Sequence, residues 1–411
     1  MNNWKKTFAI IWTGQLFSTL SSSVAGYAVV FWLSLKTESA EVLAYAMIAT
    51  LLPQIVLGLF TGVFVDRWNR KQVMIAADTF IALITGMLCL MFYFDMVAIW
   101  QIYILLALRS VGSAFHVPAM QASIPLLAPE SQLMRVAGVN QMIQAISNIA
   151  GPALAALLIS LLEMTYVLMF DILGAVIACV SLLFVTIPNP ERKTEERHVF
   201  REMKEGLKAI FGQRGLGWLL TFDIIVLFFI IPVSALFPLM TIKYFLGEAF
   251  HMSVVEIAWG VGTLLGGVII GTSAMNRFDK IILIIITNSI IGLTFLFSGV
   301  LPQSGLMWFA IFTGIGGLAG SIWNSSFVVI LQTKIDNSVL GRAFSTYDSL
   351  ILLPSIPGLL ATGYIADVIG LSDAFVIAGG AICLCSILLL LIPSVRELGK
   401  STKGVGSKDI F

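Results

Sequence analysis

From Phe8 to Leu35 the chain carries no charged side chain, and eleven further apolar stretches follow, parted by short polar breaks. This pattern constrains the fold more than any other feature. A helix needs roughly 20 apolar residues to cross a hydrocarbon layer of ~30 Å, and the stretches are long enough. A membrane barrel would instead show alternating segments of ~10 residues. The composition agrees: 58% of residues are hydrophobic, 11% are charged and the mean hydropathy is +0.96, outside the range of water-soluble domains. The first stretch is too long for the core of a signal peptide and lacks a small-residue cleavage pattern, so it is expected to remain as a span.

Twelve spans are expected at about 8–35, 43–65, 72–94, 98–127, 134–162, 166–187, 216–241, 253–275, 280–300, 305–332, 342–369 and 373–393. The expected class is therefore an all-α polytopic membrane protein with two six-helix halves. Of the 24 Lys and Arg residues, only Lys36 and Lys243 fall in loops on one side. Arg109 falls inside a span, and the remainder lie on or beside the other face. Because cytoplasmic loops collect positive charge, both termini are expected in the cytoplasm and the chain in a bacterial inner membrane.

Enzyme chemistry finds no support. Cys89, Cys179, Cys383 and Cys385 all sit in apolar stretches, where Cys acts as a small hydrophobe. His116, His198 and His251 are scattered, so no metal-ligand spacing arises. No G-x-x-x-x-G-K loop is present, so an ion gradient rather than ATP is the expected energy source. No cofactor, metal or nucleic-acid partner is expected. The expected partners are the bilayer, protons and a small hydrophobic substrate, with the chain acting as a monomer.

One long polar segment, Pro188 to about Gly215, divides the chain into a first half (1–187) and a second (216–395), followed by a cytoplasmic tail (396–411). Within it Phe200, Met203, Leu207, Ile210 and Phe211 recur at three-to-four spacing, the pattern of an amphipathic helix along the membrane face. A faint internal repeat supports the two halves. Leu133 and Arg135 before span 5 recur as Leu340 and Arg342 before span 11, and Asp66-Arg67-Trp68-Asn69-Arg70 after span 2 is echoed by Asn276-Arg277-Phe278-Asp279-Lys280 after span 8. Repeated halves are a transporter architecture, with a substrate site near the midplane and alternating access by rocking.

Several residues stand where apolar ones are cheaper. Arg109 lies about 16 Å into span 4 by helical rise, and a charge at that depth needs a cavity or a carboxylate partner. Asp78, Asp171, Asp223 and Asp348 also fall inside spans. Their ionised forms are poorly solvated there, which suits proton exchange; Asp223 and Asp348 stand about 10 Å inside the cytoplasmic boundary. Span 1 offers Gln15 but no acid. Trp32, Phe229 and Trp323 are equally compatible with stacking on a lipophilic ligand and with lipid-facing packing.

The run Gly62-Val63-Phe64-Val65-Asp66-Arg67-Trp68-Asn69-Arg70-Lys71 resembles the G-x-x-x-D-R-x-x-R-K signature of the major facilitator superfamily. Its glycine permits close helix approach, and its aspartate can face the positive start of a neighbouring helix. The resemblance implies that Asp66 docks near Gly341 and Arg342 at the start of span 11 as a conformational gate, with Arg67, Arg70 and Lys71. In span 4, Gly112 follows Arg109 by three residues, where the family pattern has four. Ser147-Asn148-Ile149-Ala150-Gly151-Pro152-Ala153-Leu154-Ala155-Ala156 looks like a relaxed form of the superfamily's antiporter motif, with Gly151 and Pro152 kept. More narrowly, Leu108–Ala119, Pro125–Glu130, Ser234–Leu239 and Gly299–Gly305 resemble the macrolide efflux proteins of Gram-positive bacteria. That resemblance implies export of macrolide-type compounds by proton antiport, with Gln15, Arg109, Asp223 and Asp348 as candidates for the substrate cavity or proton coupling. The alternative is a carrier that takes up a nutrient or lipid metabolite.

Overall fold

The computed structural model describes residues 4–127, 129, 132–187, 199–270, 278–336, 339, 343–344, 347 and 350–400. Helices account for nearly all of them: α1 Trp4–Thr37, α2 Ala40–Arg67, α3 Arg70–Tyr93, α4 Ile99–Leu127, α5 Leu133–Leu161, α6 Met164–Leu183, α7 Val199–Phe211, α8 Arg214–Ala235, α9 Ala249–Ile270, α10 Lys280–Val300, α11 Leu306–Lys334, α12 Ser355–Ile369, α13 Leu371–Leu391 and α14 Pro393–Lys400. Twelve helical segments among the described residues are long and apolar enough to cross a membrane. The protein is thus an all-α, multi-pass membrane protein.

Local sequence sets the helix ends. Asn69 and Asp279, at equivalent places in the repeat, each accept an N–H in the first turn of α3 and α10, at 3.1 and 2.9 Å, which satisfies donors that a helix start leaves unpaired. Gly370 joins α12 to α13 with φ of 112°, a conformation that suits glycine. Span 7 was expected as one helix to 241, but α8 stops at Ala235. A short turn, Phe237–Leu239, then leads into a π-helical turn, Met240–Tyr244. Pro238 lacks the N–H that a continuous ladder requires there. After α13 a separate helix, α14, runs through the boundary placed at 395.

The described residues form two compact units. One holds α1, α3–α6 and most of α2; the other holds α7–α14 together with Ser39–Ala44. In the first unit α1 packs on α5 and α6, and α3 packs on α4 and α6. In the second, α8 packs on α12 and α13, and α10 packs on α11 and α13. These are equivalent pairs in the two halves, so the faint sequence repeat corresponds to a repeated packing scheme.

Small residues bring the helices together, since lipid gives two apolar helices little hydrophobic reason to associate. A Cβ on Gly174 of α6 would overlap Ser21 of α1, and one on Gly262 of α9 would overlap the Gly314 backbone of α11. Gly292 of α10 and Gly379 of α13 face one another in the same way. The polar segment's helix, α7, lies where the three-to-four spacing placed it. Its Ile210 is fully buried in a cluster with Leu216, Leu219 and Leu220 of α8, while Phe211 is exposed.

Candidate functional site

The first unit encloses a polar cluster in an otherwise apolar interior. Arg109 of α4 reaches Asp171 of α6 as an ion pair and also donates to Thr85 of α3. Thr85 in turn donates to Asp171 at 2.9 Å, and Ser22 of α1 donates to its other oxygen at 2.7 Å. Four helices therefore converge on one carboxylate. Asp171 is only 1% exposed, and a buried carboxylate needs both a countercharge and hydrogen-bond donors; the cluster supplies both. Of the cavity and the carboxylate partner that depth allowed for Arg109, the fold provides the carboxylate.

A second ionisable pair lies two helical turns from the first along α3 and α4. His116 of α4 approaches Asp78 of α3 to 3.3 Å, with both side chains largely buried. Between the two levels Gly112 faces Ile81, and a Cβ there would stand 2.6 Å from Ile81 Cγ1. That glycine, at three residues after Arg109, is what permits α3 and α4 to close on each other.

In the second unit Asp223 of α8 is 3% exposed and accepts the Tyr347 hydroxyl at 2.9 Å. Tyr347 is stacked on Phe327 of α11, with centroids 4.6 Å apart. Trp323 borders the same carboxylate, its indole nitrogen outside hydrogen-bonding geometry. Asp348 lies outside the described residues.

Gln15 is buried at 3% exposure, with its amide nitrogen unpaired. In the signature after span 2, Arg70 donates to the Ala122 carbonyl of α4, and Lys71 donates to the carbonyls of Leu183 and Val185 at 3.3 and 2.8 Å. Both basic residues thus close helix ends within their own unit. Gly62, Asp66 and Arg67 belong to α2, but their side chains lie outside the described set, as do Gly341 and Arg342 entirely. Gly151 faces Ser23 and Tyr27 of α1, its missing Cβ leaving room for the Ser23 hydroxyl, which donates to the Ser147 carbonyl at 2.9 Å. Pro152 follows inside α5. Of the aromatic residues, Trp32 meets Phe92 edge-on at 5.0 Å and Phe229 meets Phe228 at 5.2 Å.

Two acids escaped the sequence reading. Glu256 lies in α9, within an expected span, and the test that selected the four aspartates applies to it equally. Asp367, in the last turn of α12, gave no signal beyond a charge at a span end. Its carboxylate accepts from the Ser39 hydroxyl and from the Ala40 and Glu41 N–H groups, each at 3.1 Å.

Residues 11–356 match the family model described as Major Facilitator Superfamily. Over 97% of its length the chain is 38% identical to Macrolide efflux protein A of Streptococcus pyogenes, covering 98% of that protein. It is 25% identical to Multidrug efflux pump Tap of Mycobacterium bovis, with 93% of each chain covered. Among solved structures, a POT family transporter in complex with 5-aminolevulinic acid superposes with a TM-score of 0.75 over 96% of each chain at 11% identity, a likeness of fold alone. The chain belongs to the major facilitator superfamily of transporters.

Proposed function

We propose that this transporter exports hydrophobic, macrolide-type compounds across the bacterial inner membrane by proton antiport with alternating access. The observation that carries the reading is the similarity to Macrolide efflux protein A, which extends over nearly the whole of both chains. Similarity confined to a shared scaffold would fade outside it; here both halves and their connections take part.

The polar clusters support ion coupling. Arg109, Asp171 and Asp223 are held inside membrane-spanning helices, where ionisable groups are costly and mark ion or substrate paths. The chain has no nucleotide-binding loop, so the energy is drawn from a gradient, and no covalent catalysis is assigned to it. Both termini face the cytoplasm in this reading, since the positive residues collect on their side.

The direct test is accumulation of a labelled macrolide in drug-sensitive cells making the protein, with and without a protonophore. The expected result is lower accumulation in expressing cells, restored to the control level when the proton gradient is collapsed. Unchanged accumulation at confirmed expression would remove the macrolide assignment. Efflux insensitive to the protonophore would remove proton coupling.

A further inference from the structure

We propose that the His116–Asp78 pair on the α3–α4 seam is a one-proton site through which the first unit couples proton movement to transport; this deepens, and rests on, the proton-antiport reading above.

The geometry makes the case. Asp78 Oδ1 and His116 Nε2 stand 3.3 Å apart, with 4% and 14% of their side-chain surfaces exposed. Neither Asp78 Oδ2 nor His116 Nε2 has a hydrogen-bond partner. A bare imidazole nitrogen and a carboxylate oxygen both present lone pairs, so the approach is favourable only with a proton between them, and a neutral imidazole can turn its own N–H to that position. The pair then keeps the carboxylate's negative charge inside the membrane, and a second proton on the imidazole ring makes it neutral overall. The seam thus has two charge states that differ by one proton on the more exposed imidazole.

The pair has a route of influence to the larger cluster. From Asp78 to Thr85 on α3, and from His116 to Arg109 on α4, the chain advances two turns in opposite directions, about 10 Å by helical rise. The His116–Asp78 pair and the Arg109–Thr85 contact therefore lie on one α3–α4 seam held close by Gly112. An uncompensated carboxylate charge at Asp78 competes with Asp171 for Arg109, and Arg109 is what joins α4 to α6 and α3. Losing the proton at one level loosens the tie at the other.

The surroundings leave few competing charges. On α6, packed against α3, the titratable groups are the exposed Tyr166, Asp171, already paired with Arg109, and Cys179, which borders Asp78 and contacts the Thr79 hydroxyl at 3.8 Å. On α3 itself Arg70 and Lys71 bind backbone carbonyls near the helix start. Helices α1 and α5, packed against α4, contain no acidic residue; their charges are Lys5, Lys6 and Lys36 in α1 and Arg135 in α5. On α2 the charged residues are Glu41 at the start and Asp66 and Arg67 at the end.

The test uses purified full-length protein in liposomes with labelled erythromycin as probe. It reads accumulation driven by an imposed proton gradient beside downhill exchange without one. The wild type is expected to accumulate the probe. His116→Gln, His116→Arg and Asp78→Asn are expected to lose gradient-driven accumulation by about tenfold or more, because an intramembrane titratable site has been removed, while downhill exchange stays within about twofold. Asp78→Glu restores coupling. Should the wild type exchange the probe but ignore the gradient, the antiport reading fails and this proposal falls with it. Should the wild type be coupled and His116→Gln and His116→Arg remain coupled with an unchanged pH profile, the proposal alone is overturned. Poor folding of these variants is met by a second measurement. In protein carrying His198→Gln and His251→Gln, His116 is the sole histidine, and its 15N imidazole resonances are expected to move from the doubly to the singly protonated ring when erythromycin binds. Resonances unmoved by the probe would overturn the assignment.

Discussion

Asp367, in the last turn of α12, accepts the backbone N–H of Ala40 at 3.1 Å and so closes the first turn of α2 from outside that helix. The Glu41 N–H and Ser39 hydroxyl bind the same carboxylate, and Gly363, one turn earlier, lets Ala44 approach so closely that a Cβ would stand 2.9 Å from it. A carboxylate at a helix start satisfies orphan donors and the positive end of the helix dipole together. This is the chemistry that the sequence assigned to Asp66 at the opposite end of α2.

Replacing Asp367 with Asn removes that charge while keeping the shape. A stability loss of about 1 kcal/mol is expected, with faster hydrogen exchange confined to the first turn of α2. Exchange mass spectrometry across 39–44 checks it; unchanged protection there would show that the hydrogen bonds contribute nothing to holding the turn.

Arg109→Ala leaves Asp171 buried without its countercharge. A loss of ~3–5 kcal/mol is expected, seen as a lowered melting temperature in detergent. Arg109→Met combined with Asp171→Leu is expected to recover most of the stability, because both charges leave together. Transport that stays absent in the stable double variant would separate a functional role for the pair from a purely structural one.

Gly151→Ala places a methyl 2.2 Å from Ser23 Oγ. The serine must rotate and abandon its bond to the Ser147 carbonyl, so a cost of ~1–3 kcal/mol is expected. Adding Ser23→Ala makes room, and the double variant should be more stable than Gly151→Ala alone. A thermal-shift series on the four proteins of this cycle decides it.

Tyr347→Phe removes the donor at 2.9 Å from Asp223 and keeps the ring on Phe327. Leaving a buried carboxylate short of a donor is expected to cost ~1–3 kcal/mol. Tyr347→Leu loses the stacking as well and should cost more; equal melting points for the two would mean that the hydroxyl alone matters.

The sequence by itself determined the class of fold. Apolar runs long enough to cross a bilayer must satisfy their own backbone hydrogen bonds, and only helices do so within one segment. For the same reason it located the twelve spans, the amphipathic Val199–Phe211 helix and the internal repeat, all of which are local or periodic in the chain. It also marked Arg109 and Asp223 as costly where they stand. What it did not hold was partnership. That Arg109 meets Asp171 rather than open cavity, that His116 meets Asp78, and that Asp367 closes a helix starting at Ala40 depend on rotations and close approaches of helices far apart in sequence. Small residues such as Gly112, Gly174 and Gly363 set those approaches. A glycine's packing partner is absent from the sequence because its contribution is the side chain it lacks, and only the folded helices show which neighbour fills that space.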